Sequence, residues 1–404
     1  MTTKLAIVLI LINYLTILIR KPFISPILMW NLNTNLSIVG FAQICDVLGR
    51  PPGWFLILAT PLMFSLSSWI QVPKYLNVSL SDTETKAIKK LFLIIVMVSI
   101  YHFFRIGIPA FSGNTETARF TSISDSGLFG LPGRIVLFGI PIFAVLVVIK
   151  RNDFSKYFLA SVAITWLVSR IFLGFKGGIL EILILVAIAL GSSEFKFKVR
   201  TGFYFILCLL VGSSYALWAG SRYQSLSGRP LNLEYFLQRV TQGAALPQWT
   251  SLDQGAWLSS NKNPVQIDLQ YFLSKYFGIG NQEIFTFDKL VSTYIYDTPR
   301  SLSAFIVPVT IGGTAYLVSS FGYVFAPILI LTFGSIYAYI TSRIISFGMY
   351  RLVLAVAVLL GTIVFFSNGN LVYVMINYGA TWFVFSVLLR IFVSFKKENK
   401  INEI

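Results

Sequence analysis

The chain has 404 residues, 56% of them hydrophobic and only 12% charged, with a net charge of +16. A soluble domain carries about a quarter charged residues, so this composition excludes a string of soluble domains and points to one membrane bundle. The short alternating segments of a β-barrel are absent, and the basic residues are scattered between apolar runs, which excludes a nucleic-acid-binding patch.

Apolar runs long enough to cross hydrocarbon must pair their own backbone groups there, so they predict helices. In chain order the predicted spans are 5–19, 27–48, 53–72, 89–108, 133–149, 156–173, 178–191, 203–220, 313–340, 352–367 and 371–393. The first runs from Lys4 into Arg20, Lys21 and Pro22 with no small-residue cleavage site, the pattern of a retained span. The second carries Asn31, Asn33, Asn35, Gln43 and Asp46, which in lipid must face protein or water.

Basic clusters set the expected orientation. They are Arg20/Lys21, Lys74–Lys90, Lys150/Arg151/Lys156, Lys196/Lys198/Arg200, Arg343/Arg351 and Lys396/Lys397/Lys400. With all eleven spans in place every cluster falls on one side, which the positive-inside rule makes cytoplasmic. The expected fold is therefore an all-α polytopic membrane protein of about eleven transmembrane helices. Its expected parts are an N-terminal bundle of about eight spans (1–220), a long periplasmic loop containing short helices (221–305) and a C-terminal bundle of about three spans (306–404). Within the loop, Leu233–Val240 and Asp268–Phe277 have helical spacing with aromatic faces, suited to lying on the membrane surface.

The candidate chemistry lies on the non-cytoplasmic side. Arg105 ends the fourth span, and Arg119 follows in the next loop. Arg170 and Lys176 bracket the turn Gly174-Phe175-Lys176-Gly177-Gly178, and Arg222, Arg229 and Arg300 belong to the long loop. The topology bias disfavours basic residues on this side, so their presence asks for another cause. Guanidinium forks match phosphate oxygens, and a lipid pyrophosphate sits at this depth. The glycine turn lets backbone approach closely, and the helix it opens offers N–H groups at its positive end.

Glu181, one turn further in, is an ionisable group inside an apolar span and a catalytic candidate with Lys176 or Arg170 as partner. His102 is the only histidine and a candidate general base. Glu116, Asp125, Glu234, Asp253, Asp268, Glu283, Asp288 and Asp297 are further possible bases, and nothing in the sequence chooses among them. Cys45 and Cys208 lie in apolar segments and suggest neither disulfide nor metal site. One histidine and no cysteine cluster cannot build a zinc site, so no metal is expected. No phosphate-loop, dinucleotide or nucleophile-elbow motif is present, and no cofactor is expected.

The segment Gly107-Ile108-Pro109-Ala110-Phe111-Ser112-Gly113, followed by Arg119-Phe120, resembles the outer-loop pattern of Wzy-type O-antigen polymerases. The Gly-Phe-Lys-Gly-Gly turn is similar to that family's Gly-x-Arg-Gly turn, with Lys176 at the arginine position. The stretch Ile311-Gly312-Gly313-Thr314-Ala315-Tyr316, then Phe321-Gly322, resembles the family's segment after its long periplasmic loop. The resemblance covers about 90–340. It implies a glycosyltransferase of the bacterial inner membrane, with its active site on the periplasmic side. Its substrates would be undecaprenyl-pyrophosphate-linked repeat units, its surroundings membrane lipid, and a chain-length regulator protein would be its partner.

The alternatives are an O-antigen ligase and a lipid-linked oligosaccharide flippase or other transporter. The ligase family usually carries a histidine in its long loop, and residues 221–305 contain none. A transporter would show internal repeats and mid-membrane charges, whereas polarity here is concentrated in one loop.

Overall fold

The computed structural model describes residues 1–20, 38–67, 78–111, 130–173, 245–253, 262–279, 285–295 and 310–401. The described residues form helices and contain no strand. The helices are α1 (Thr2–Arg20), α2 (Ile38–Leu48), α3 (Trp54–Ser67), α4 (Asp82–Ile106), α5 (Leu131–Ile149) and α6 (Lys156–Phe172). Then follow α7 (Ala245–Leu252), α8 (Pro264–Phe277), α9 (Phe287–Ile295), α10 (Gly313–Arg343), α11 (Met349–Asn368) and α12 (Leu371–Ile401). Among them α4, α5, α10, α11 and α12 are long and apolar enough to cross a membrane. The predicted spans 178–191 and 203–220 lie outside the described residues, as do 27–37 and Leu233–Val240.

Helix α4 shows why these are membrane helices. Its buried side is Ala87, Ile88, Leu91, Ile95, Ser99 and His102, at the three- and four-residue spacing of one helix face. Its exposed side is just as apolar: Leu93, Met97, Ile100 and Phe104. A helix in water keeps its polar residues on the exposed side; this one has the surface of a lipid-facing helix. Its start extends seven residues before the predicted span. There Ser81 and Glu84 cap each other's backbone N–H groups, so the charged segment 82–90 continues the helix below the apolar run.

The chain divides into two compact units. The first comprises Met1–Gln71, Pro230–Tyr339 and Gly361–Ile376; the second comprises Val72–Arg229, Ile340–Leu360 and Asn377–Ile404.

In the first unit, the α1 N-terminus is held by Asp46 at the end of α2. The carboxylate accepts from the N-terminal ammonium at 3.0 Å, from the Thr2 and Thr3 amides at 2.8 and 3.0 Å, and from the Thr3 hydroxyl at 2.8 Å. A negative charge at the positive end of a helix is the favourable placement.

The centre of this unit is the start of α10, in the segment Ile311–Tyr316. Ile311 donates to the Asn368 carbonyl at 3.2 Å. Gly312 (φ 79°) and Gly369 (φ 81°) meet backbone to backbone, so a Cβ on Gly369 would lie 2.7 Å from the Gly312 nitrogen. A Cβ on Gly313 would lie 2.8 Å from the Phe366 Cα. The Thr314 hydroxyl bonds Thr60 of α3 at 2.9 Å, and Ser319 donates to the Ser251 carbonyl of α7 at 2.8 Å. Phe64, Phe333, Tyr337, Phe365 and Phe366 fill the space below as a continuous aromatic cluster.

In the second unit α5 is the central helix, buried along almost its whole length. It is held at one end and closely packed halfway along. At one end Lys150 follows its last turn, and the ammonium donates to the Val78 and Ile345 carbonyls at 2.6 and 2.7 Å. Asp153 accepts from the Leu80 amide at 3.1 Å beside it. Halfway along, Gly139 leaves room for α12: a Cβ there would lie 2.9 Å from the Phe385 ring.

Candidate functional site

Three buried polar groups gather at the other end of the second unit, remote from the charged start of α4. They are His102 on α4, Arg134 on the first turn of α5 and Arg170 near the end of α6. The end of α4 is pinned to the end of α6 by Phe103 stacked edge-on to Phe172, ring centroids 5.3 Å apart.

The arginine on α6 has a local cause. Helix α5 contains Pro141, which has no N–H for the carbonyl four residues back, that of Leu137. Around that gap, Ile135–Gly139 widens into a π-turn. Arg170, 3% exposed, donates to the Leu137 oxygen at 2.9 Å and takes the place of the missing amide. π-turns recur at functional sites, and this one is held open by a cation.

Arg134 stands in the first turn of α5, behind Gly130 (φ 71°) and Pro132, at the end of the helix where the backbone dipole is positive. A cation is disfavoured there by about 0.3–1 kcal/mol, and Arg134 is also buried. Arg134 thus lies at the N-terminus of α5, one turn before Leu137, whose carbonyl Arg170 bonds. That combination is suited to an anion.

His102 is fully buried, and among the described residues neither ring nitrogen has a hydrogen-bond partner. Its ring lies edge-on to Phe103 at 5.3 Å. A buried polar group normally has a partner. An imidazole kept without one is available to a group that enters.

Of the nine residues singled out from the sequence, three are described. His102 and Arg170 are both buried, near the ends of two helices joined by the Phe103–Phe172 contact. Arg105, three residues on from His102, is turned away from them: it is exposed and donates to Tyr101 at 2.8 Å, one turn back on the exposed face of α4. Glu181, Arg119, Lys176, Arg222, Arg229 and Arg300 lie outside the described residues. Arg134 was missed because it stood at the edge of a predicted span and passed for a flanking charge.

A second buried polar group belongs to the first unit. Asp268 on α8 is 2% exposed. It accepts from the Phe287 amide at the start of α9 and from the Tyr316 hydroxyl on α10, both at 2.7 Å. Burial, and then the neighbouring Asp288 carboxylate, push it up to about 7. Each of its oxygens accepts one of these bonds and it is closed to solvent, so it acts as a clasp joining α8, α9 and α10. The motif residue Tyr316 has its explanation in this clasp, just as Gly312 and Gly313 have theirs in close packing.

No protein-family model, curated protein or solved structure matches the chain.

Proposed function

We propose that the protein joins lipid-pyrophosphate-linked oligosaccharide repeat units into a longer surface polysaccharide, such as O-antigen, at the periplasmic face of the bacterial inner membrane. The observation that carries this reading is the positive corner of the second unit: Arg134 and Arg170 buried beside the π-turn and the start of α5, with His102 close by. The charge bias of the loops assigns that corner to the periplasmic side.

The reaction needs what such a corner supplies. A hydroxyl of the acceptor unit attacks the anomeric carbon of the donor glycan. The bond from that carbon to the pyrophosphate oxygen breaks, and its electron pair leaves with the lipid pyrophosphate. Fixed cations stabilise the charge that develops on the leaving oxygen, and loss of one such group costs about 10²–10³ in rate. The attacking hydroxyl gives up a proton, and His102 is the group in this cluster able to take it. Lys176, Arg119, Arg222, Arg229 and Arg300 are assigned to the pyrophosphate by the resemblance of the sequence, and Glu181 to proton transfer.

The test is complementation of a strain lacking the gene. Arg134→Ala and Arg170→Ala are expected to reach the membrane at normal levels and to lose chain extension by about 100-fold. Arg170→Lys, which keeps the charge and one donor to Leu137, should recover part of it. Normal long chains in both alanine variants would remove the corner from the mechanism.

A further inference from the structure

Helix α1 changes character within one turn. Between Ile7 and Leu15 its exposed residues are Ile7, Val8, Leu11, Ile12 and Leu15, all apolar and all on one face. That is the kind of surface α4 shows, the surface of a helix that faces lipid. One turn before this stripe the same helix exposes Lys4. A step from a charged end to an apolar exposed face marks the level of the lipid headgroups, where long basic side chains and tryptophan rings are at home.

An open cavity of about 300 Å³ lies at this step. Thr2, Lys4, Leu5 and Val8 of α1 line it, together with Arg50 and Trp54. Val8 belongs both to the cavity and to the exposed stripe, so the cavity is continuous with the lipid-facing surface. Arg50 is fixed in place. Its Nε donates to the Thr2 hydroxyl at 3.1 Å, and its guanidinium carbon lies 4.9 Å over the Trp54 ring. Among the described residues its two terminal nitrogens have no hydrogen-bond partner, and neither Arg50 nor Lys4 forms an ion pair. The carboxylate nearest in sequence, Asp46, is already engaged by the start of α1 through Thr2 and Thr3. The cavity therefore has surplus positive charge at its polar end and apolar walls below. A guanidinium fork held open beside a lysine matches the free oxygens of a phosphate.

We infer that this cavity binds an anionic phospholipid of the bilayer, its phosphate held by Lys4 and Arg50 and an acyl chain running along Leu5, Val8 and the stripe to Leu15. A phosphodiester offers two free oxygens to the two cations. The chain covers the apolar wall, which a free phosphate would leave bare. A zwitterionic headgroup brings its own ammonium into a positive site, so the cavity prefers phosphatidylglycerol to phosphatidylcholine. This inference rests on the cavity and on the lipid-facing stripe of α1, and not on the proposed reaction.

Photo-crosslinking tests it at the site itself. A benzophenone-bearing phenylalanine analogue replaces Val8 in the full chain, in nanodiscs of equal parts phosphatidylglycerol and phosphatidylcholine. Phosphatidylglycerol adducts should exceed phosphatidylcholine adducts by roughly tenfold, the contribution of one hydrogen bond to a charged group. The same analogue at Phe104 of α4, 91% exposed, should report the bulk ratio. Lys4→Gln, at an exposed position, and Arg50→Gln should each bring the Val8 ratio close to bulk, and Arg50→Lys should keep most of the preference. Equal adducts of the two lipids at Val8 would make this ordinary boundary lipid, and adducts to protein alone would mean that protein covers the cavity; either overturns the inference. Inorganic phosphate, added at constant ionic strength, should leave the ratio unchanged. Loss of the preference on that addition would show a site for a free anion. Displacement of phosphatidylglycerol by a trace of undecaprenyl phosphate would assign the cavity to a polyprenyl lipid, and it too would overturn the phospholipid.

Discussion

At the residue scale, one side chain repairs what another breaks. Pro141 leaves the Leu137 carbonyl without its helical donor, and Arg170 supplies one from the next helix. Removing it leaves a buried acceptor unsatisfied, which costs about 1–3 kcal/mol. Arg170→Ala should therefore lower the thermal midpoint in detergent or nanodiscs, and Arg170→Lys should lower it less. Equal midpoints for wild type and Arg170→Ala would show that the bond contributes nothing.

Asp268 makes a pH prediction at the same scale. In the folded chain it keeps its proton to about pH 7, and in the unfolded chain to about 3.9. Between those values the folded state binds more protons, so stability is greatest below about pH 4 and falls as pH rises through about 7. Asp288 opposes a charge on Asp268, Lys289 sits beside Asp288, and Tyr316 donates to Asp268 throughout. Hydrogen exchange across 264–295 should accelerate as pH rises beyond its intrinsic dependence, and Asp268→Asn should flatten that trend. A trend of opposite sign would contradict the assignment.

At the scale of elements, apolar runs were legible and their joints were not. The predicted 89–108 begins seven residues late because hydropathy stops at charge, although Ser81 and Glu84 spell a capping box. The predicted 352–367 and 313–340 agree with α11 and α10 to within three residues, because helices of this length buried in protein or lipid are apolar all round. Helices α7 and α9 have only eight and nine residues, too short to stand out in the loop, and contacts with α10 hold them. Asp268 looked like any loop carboxylate, since its partner Tyr316 is 48 residues away. His102 and Arg170 were legible as ionisable groups inside apolar runs, and Pro141 was visible, but only the fold brings α6 to Leu137.

Glycines test the packing of these elements. Gly369→Ala drives a Cβ against the Gly312 backbone at a positive φ and should destabilise by several kcal/mol, on the order of an overpacked core. Gly278→Ala adds a Cβ in open space at φ 65° and should cost only about 1 kcal/mol. Comparable losses in the two variants would contradict the close approach of residues 312 and 369.

At the scale of the whole molecule, the described helices form two compact units with different polar centres. One holds a carboxylate clasp at the start of α10, the other a cationic corner at the start of α5. Among the described residues the second holds two buried arginines and the imidazole whose nitrogens lack a hydrogen-bond partner, and it is the one assigned to the proposed reaction. The most direct measurement is the surface glycan of a strain from which this gene has been deleted. A polymerase predicts that the glycan remains attached but is reduced to a single repeat unit, and that the intact gene restores long chains while Arg134→Ala does not. Loss of all attached glycan, or long chains that persist without the gene, would contradict it.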